Sequence, residues 1–334
     1  MTMLSRRFLL ATITALAATA CASAPVARAE MPAAIEADEV VLLWPEGPPG
    51  GVPEGLQEKV VYRDNPFGLM DRAAHDITAP SLSIFHPDTP NGSAILIIPG
   101  GGYKWVVIDK EGFEGARHFA GEGATVYVLR YRLPHQGWQA GREAPLQDAQ
   151  RALRLIRARA AEDGIDPARV MVMGFSAGGH LAGTLAMKFD TATYPPADAA
   201  DALSARPDAA ALIYPVATLA EPFAHPGSRL NMLGETPSAD AVAAWSLETL
   251  ARPDMPPVFL MHAADDEAVP VENALILHAA LRKAGVPVAL HIFEAGGHGF
   301  GLRGIDGTPL QSWPSLLSQW AVNKGIFPKV TPDR

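Results

Sequence analysis

Five consecutive residues, Gly174-Phe175-Ser176-Ala177-Gly178, hold a serine between glycines in the spacing G-x-S-x-G. The spacing has a steric meaning. A serine on a tight turn between a strand and a helix carries strained backbone angles, and the residues two before and two after it crowd one another. Only very small side chains fit there. Such a turn thrusts the hydroxyl clear of the sheet, and the following helix aims its positive end at charge developing nearby. The context agrees: apolar Val170 to Met173 precede the string, an alanine-rich segment follows, and the string occurs once in the chain. A glycine–serine loop without chemistry is the competing reading, and the flanking pattern weighs against it.

A serine hydroxyl is a poor nucleophile until a base takes its proton, and that base is normally a histidine oriented by a carboxylate. In the α/β fold that carries this elbow string, the partners follow in the order acid, then histidine. Downstream lie His180, His225, His262, His278, His291 and His298. His298 is the best placed. It sits in Gly296-Gly297-His298-Gly299-Phe300-Gly301, past a strand end, where glycines leave it free to lean over a neighbouring strand. His291 within a strand pattern and His278 within a helix pattern read as structural, and His180 should point away from the Ser176 hydroxyl. For the acid, the segment from His262 to Pro270 leaves another strand end and offers Asp265, Asp266 and Glu267. Residue type does not choose among them, and an acidic helix N-terminus would look the same. The histidines show no H-E-x-x-H or similar metal spacing, so neither metal nor cofactor is expected.

The elements that must position these residues are legible as alternation. Residues 93–99, 124–130, 169–174, 209–213, 257–262 and 288–293 are short, nearly continuous apolar runs, which suit strands covered on both faces. Helical patterns lie between and after them, over 111–122, 144–163, 178–188, 271–284 and 312–324. The 144–163 pattern carries Leu146, Ala149, Leu153 and Ile156 at helical spacing. Gly285-Val286-Pro287 marks a helix stop before a strand. Such alternation predicts an α/β fold with a mostly parallel sheet and helices on both faces. Residues 59–63 and 79–85 are expected to add antiparallel strands at one edge.

Several motifs in one order now carry a resemblance. Leu43-Trp44-Pro45, Pro99-Gly100-Gly101-Gly102-Tyr103, Asp109-Lys110-Glu111-Gly112 and Tyr131-Arg132-Leu133-Pro134 come before the serine string. Leu212-Ile213-Tyr214-Pro215, Asp265-Asp266-x-x-Val269-Pro270 and Gly297-His298-Gly299-Phe300-Gly301 come after it. Over nearly its whole length past the leader, the chain resembles bacterial α/β-hydrolases of the acetyl xylan esterase and acetylesterase type, BD-FAE-like relatives of the hormone-sensitive-lipase-like carboxylesterases. The resemblance implies an α/β-hydrolase fold and a serine carboxylic-ester hydrolase. Its acid precedes x-x-Val-Pro, which selects Asp266, with Asp265 as a helper or turn-stabilising neighbour. Its triple-glycine loop implies that the amides of Gly101 and Gly102, with that of Ala177, hold the oxyanion. Here a proline replaces the family's histidine before the glycines, which matters little because backbone amides do the work. A nucleotide is discounted, since no Lys-Ser/Thr follows the glycines. The implied substrates are short acyl esters, such as acetyl groups on xylan or xylo-oligosaccharides. Tyr103, Trp105, Trp138 and Phe300 flank the presumed site loops and are candidates to stack on a sugar, although each is equally at home as a loop anchor in the core. Asp109, Lys110 and Glu111 either line the mouth or cap the helix after them. A serine peptidase of prolyl-oligopeptidase-like type and a non-catalytic carbohydrate-binding protein remain as alternatives. The first lacks the expected β-propeller segment, and a complete triad argues against the second.

Composition bounds the rest. Arg6-Arg7, an apolar run from Phe8 to Ala20 and the small-residue site Ala27-Arg28-Ala29 describe an export signal over residues 1–29, too short and alanine-rich to span a membrane. Ser5-Arg6-Arg7-Phe8-Leu9-Leu10 fits a twin-arginine signal, and an ordinary secretory signal with two arginines fits as well. The expected location is periplasmic or secreted. The one cysteine, Cys21, lies in this segment; Ala18-Thr19-Ala20-Cys21 matches a lipid-attachment box only loosely. Loss of the leader removes Arg6, Arg7 and Arg28 and takes the formal charge from −9 to −12. Such a surface repels nucleic acid and other polyanions and suits a neutral substrate. Residues 30–334 are long enough for one large core, so a single catalytic domain is expected.

Overall fold

The computed structural model describes residues 34–329. The export segment read over residues 1–29, with Cys21, lies outside the described residues. Among the described residues eleven strands follow in chain order: β1 (Glu39–Leu42), β2 (Lys59–Tyr62), β3 (Arg72–His75), β4 (Ser81–Phe85), β5 (Ala94–Ile98), β6 (Val106–Val107), β7 (Thr125–Arg130), β8 (Val170–Phe175), β9 (Ala209–Ile213), β10 (Val258–Ala263) and β11 (Val288–Phe293). The helices are α1 (Glu114–Gly121), α2 (Ala144–Ala158), α3 (Ser176–Met187), α4 (Pro226–Leu233), α5 (Ala239–Trp245), α6 (Leu247–Leu250), α7 (Glu272–Lys283) and α8 (Trp313–Asn323). Eight strands form one sheet in the order β1-β4-β7-β5-β8-β9-β10-β11. From β7 to β11 every neighbouring pair is parallel, while β4 runs antiparallel to both β1 and β7. This is the α/β-hydrolase fold expected from the sequence.

The inner parallel strands are mostly apolar because both faces are covered. On β5, Ala94, Leu96 and Ile98 enter one core with Leu146, Leu153 and Ile156 of α2 and Leu277 and Leu281 of α7. Ile95 and Ile97 enter the other with Phe119 of α1 and Trp313, Leu317 and Trp320 of α8. Strand alternation thus divides one run between two cores. The helix predicted over 144–163 stops at Ala158. The chain then turns through Gly164 at φ +65, with the Ile165 N–H on the Ala160 carbonyl at 2.9 Å. Gly285 at φ +77 ends α7 where the sequence placed a stop.

Residues 79–85 do supply an antiparallel strand, β4, next to the sheet's edge, but the expectation for 59–63 needs correction. Residues 59–62 do not join the main sheet; β2 pairs with β3, and β3 with β6, in a separate three-stranded antiparallel sheet. The main sheet's edge is β1, whose four residues alternate half-buried and exposed and are too few to show a period. The helix predicted from Glu111 starts as a π-turn over Asp109–Phe113, with the Phe113 N–H reaching Ile108 O at 2.8 Å, and only then becomes α1. Asp109 is drawn off the helix by Arg72 of β3, whose guanidinium lies 2.8 Å from its carboxylate. Two motifs that carried the resemblance turn out to be scaffold. Arg132 and Asp148 form a fully buried ion pair at 2.8 Å, and the Trp44 Nε1–H donates to the same carboxylate at 2.7 Å. No helix among the described residues is long and apolar enough to cross a membrane.

Candidate active site

Every residue of interest follows the carboxyl end of a parallel strand, where an open α/β sheet places its ligands. Ser176 comes directly after β8 and opens α3, at φ +53 and 5 % exposed. The glycines around it are sterically required. A Cβ on Gly178 would lie 2.1 Å from the Ile98 carbonyl oxygen, and one on Gly174 would lie 2.3 Å from that of Gly178. The helix therefore packs directly on the end of β5, and only glycine allows the approach.

Ser176, Asp266 and His298 meet, although 122 residues separate the first from the last. The Ser176 Oγ is 2.9 Å from His298 Nε2, and His298 Nδ1 is 2.7 Å from Asp266 Oδ2. With the carboxylate on Nδ1, the proton sits there and Nε2 is left to accept from the serine. Asp266 is buried, and its other oxygen accepts the N–H groups of Ala268 at 3.0 Å and Val269 at 2.8 Å. Burial alone would raise its pKa. Hydrogen bonds from His262 and His298, the nearby His298 ring and the Val269 N–H outweigh it and hold the carboxyl well below the usual carboxylate range.

The choice among three acids, open from residue type, is resolved by direction. Asp266 turns inward to His298. Asp265 is exposed and accepts the N–H groups of Gly296 and Gly297, both at 2.8 Å, so it holds the histidine's loop. Glu267 is exposed. His262 was passed over among the histidines. Fully buried, it places Nε2 2.8 Å from the Val269 carbonyl and 3.2 Å from Asp266 Oδ2, behind the acid. His180 does point away: it bonds Tyr103 and the Trp245 carbonyl.

Gly101 and Gly102, at φ +125 and +63, turn the loop after β5 beside the serine. Their N–H groups take part in no backbone hydrogen bond among the described residues, and Ala177 follows Ser176 in the first turn of α3. Asn231 clamps the loop from α4, donating to the Gly102 carbonyl at 2.8 Å. His225 caps α4 through Nδ1, which accepts the Ser228 N–H at 3.1 Å, and its ring lines the same cleft; no motif marked it.

The aromatic candidates separate. Tyr103 is 1 % exposed, and its hydroxyl lies 2.7 Å from His180 Nδ1. It anchors the loop from inside and has no face for a ligand, which corrects the expectation that it stacks on a sugar. Trp138 is likewise buried, 5.0 Å from the Arg132 guanidinium. Phe300 is 8 % exposed and packs edge-on against Tyr214, presenting little more than a rim. Trp105 is half-buried and does line the cleft. That cleft, of about 310 Å³, includes Gly101, Gly102, Trp105, Ser176, His225 and His298. A second, of about 820 Å³, adjoins it at Arg63, Lys110, His298 and Gly299 and runs along Phe67, Phe300 and Leu310.

A hydroxyl, an imidazole and a carboxylate in this relay, beside free backbone donors, can pass a proton and stabilise an oxyanion. The similarities to known proteins agree with that chemistry. The BD-FAE family model matches residues 82–281. Endo-1,4-beta-xylanase B of Butyrivibrio fibrisolvens is 33 % identical over 239 residues, 72 % of this chain and 37 % of that protein. The acetylxylan esterase of Xylanibacter ruminicola is 34 % identical over 221 residues, 65 % of this chain and 43 % of that protein. The chain thus spans well under half the length of these two curated relatives. Among solved structures, an acetyl ester-xyloside bifunctional hydrolase from Caldicellulosiruptor lactoaceticus is 35 % identical and superposes with a TM-score of 0.72, covering 88 % of this chain and 98 % of that one.

Proposed function

The chain belongs to the BD-FAE family, and on that premise we propose that it is a serine carboxylesterase that removes short acyl groups, above all acetyl groups from xylan fragments. The relay of 2.9 and 2.7 Å hydrogen bonds through His298 is the observation that supports this reading most. In the proposed mechanism Ser176 Oγ attacks the ester carbonyl carbon while its proton passes to His298 Nε2. Asp266 keeps the other ring proton on Nδ1 and stabilises the imidazolium. The amides of Gly101, Gly102 and Ala177 receive the oxyanion, each such donor being worth about 3 kcal/mol in the transition state. The imidazolium then protonates the departing alcohol oxygen, leaving an acyl-serine, and water repeats the sequence to release the acid and restore the serine.

That proton transfer orients the substrate. The alcohol leaves on the His298 side; we place the sugar in the larger cleft, which adjoins the site at His298, and the acyl group on the side of Gly102 and His225. An acetylxylan esterase and an acetyl ester-xyloside hydrolase among the similar proteins support the choice of sugar ester. The test is a panel of p-nitrophenyl acyl esters, acetylated xylo-oligosaccharides and peptide anilides. We expect turnover of acetates and a loss of roughly 10⁵- to 10⁶-fold in kcat for Ser176→Ala. Equal inactivity of wild type and variant on the whole panel would overturn the esterase reading, and preference for the anilides would make the chain a peptidase.

A further inference from the structure

Glu111 has no part in that mechanism, yet it is 3 % exposed in the wall of the cleft. Its Oε2 accepts the Gly100 N–H at 2.9 Å, and its Oε1 accepts the Tyr214 hydroxyl at 3.1 Å. The Tyr214 oxygen in turn accepts the Gly301 N–H at 3.1 Å. Gly100 begins the loop that carries the oxyanion donors, and Gly301 ends the loop that carries His298. A single carboxylate therefore ties both loops, on opposite sides of the serine, to one point.

The tie is built rather than incidental. Its partners among the described residues are an amide and a phenol, not a cation, and burying a carboxylate without a cation is costly. The chain accommodates it with three specific features. A Cβ on Gly100 would lie 2.7 Å from Glu111 Oε2, so glycine is needed there. Burial, then the Glu111 charge, push the Tyr214 phenol well above its ordinary pKa, so its proton stays in place to be donated. The π-turn that aims Glu111 inward is held by Asp109, on which the Arg72 backbone N–H converges with its guanidinium. The small sheet thereby acquires a purpose: β3 supplies Arg72, and β6 leads into the turn. Capping α1 does not account for Glu111, since the helix has no side-chain cap, and at 3 % exposed it lies in the wall of the cleft rather than at its mouth.

We propose that Glu111 is a positioning residue that holds the oxyanion loop and the histidine loop at a fixed separation, so that the Gly101 and Gly102 donors and His298 Nε2 act on one tetrahedral centre. The inference rests on the esterase reading. Transition-state contacts tolerate about 0.5 Å of misplacement, and about 1 Å can cost 10²-fold, so loops that move independently would forfeit rate before they forfeit binding.

Glu111→Gln is nearly isosteric but offers one acceptor where two donors converge. We expect its kcat on p-nitrophenyl acetate to fall about 10²-fold with KM held within about twofold. Tyr214→Phe keeps the Gly100 bond and removes the link to Gly301, so it should lose kcat in the same manner to a smaller extent. In the double variant the two losses should not multiply, because both cut the same tie. A wild-type kcat in folded Glu111→Gln, a loss confined to KM, or losses that multiply in the double variant would each overturn the proposal. Should Glu111→Gln not fold, Tyr214→Phe decides alone: a kcat loss at constant KM upholds the tie, and an unchanged kcat refutes it. A wild type inactive on every ester refutes the esterase reading instead, so the two failures are distinct.

Discussion

The two glycine-rich loops that meet at Ser176 are secured by opposite means. In the oxyanion loop, past Gly100, whose N–H Glu111 takes, the anchors are a side chain and the carbonyls. Tyr103 turns inward to His180, Asn231 holds the Gly102 carbonyl, and the Gly101 carbonyl accepts from Lys104 and Trp105 at 3.0 Å. The N–H groups of Gly101 and Gly102 are left over. In the histidine loop the anchors are N–H groups held by side chains from elsewhere: Asp265 takes those of Gly296 and Gly297, and Tyr214 that of Gly301. The imidazole is left over. A loop whose chemistry comes from its backbone spends its side chain on attachment, and a loop whose chemistry comes from a side chain spends its backbone.

The sharpest way to break the contrast is to disable the histidine loop through its side chain alone. Asp266→Asn keeps an oxygen for the Ala268 and Val269 N–H groups, so the backbone should stay in place. Its amide no longer fixes the proton on His298 Nδ1. We expect kcat for acetate esters to fall about 10⁴-fold, with the fold intact by circular dichroism. A loss below tenfold would show that another carboxylate orients His298.

A smaller effect should expose the oxyanion loop's dependence on a neutral anchor. Burial lowers the His180 pKa to about 4, although its bond to the Trp245 carbonyl opposes this. The unfolded chain protonates this histidine near 6.5 and the folded one only near 4. Folding stability from this group is therefore complete above pH 6.5 and drains away as the pH falls towards 4, by about 3 kcal/mol. Asp266, whose pKa is depressed, gives up its share only below the ordinary carboxylate range. His135, His225 and His291 are lowered too and slope in the same direction as His180, so the comparison must be by variant. Urea unfolding between pH 4 and 7 should show a slope about one proton shallower in His180→Gln than in wild type. Parallel slopes would remove the neutral histidine from the account of that loop.

The same contrast explains what could be read from the sequence. The six apolar strands, the serine turn and His298 were legible because their signals are local: a run, a five-residue spacing, a histidine among glycines past a strand. Asp266 needed the resemblance, since three adjacent carboxylates share one loop and only its backbone path separates them. Tyr103 was misjudged because nothing in an aromatic beside a glycine loop says that φ is +57 there and the ring turns inward. Glu111 and the small sheet were obscured by distance along the chain. Tyr214 is 103 residues from the carboxylate it meets, and Arg72 is 37 from Asp109. Attachment is a long-range property, and motifs report chemistry before they report attachment.

Asp265 tests whether the backbone anchors matter once the side-chain relay is intact. It is exposed, and its Oδ1 alone accepts both the Gly296 and Gly297 N–H groups. Asp265→Asn retains that oxygen and loses only the charge, which at a solvated site contributes less than about 1 kcal/mol. The expected loss in kcat is about threefold, with no change in the ring's tautomer and hence no resemblance to Asp266→Asn. Equal losses in the two variants would mean that the histidine loop relies on its backbone anchor as heavily as on its relay, and the division of labour between the two loops would not hold.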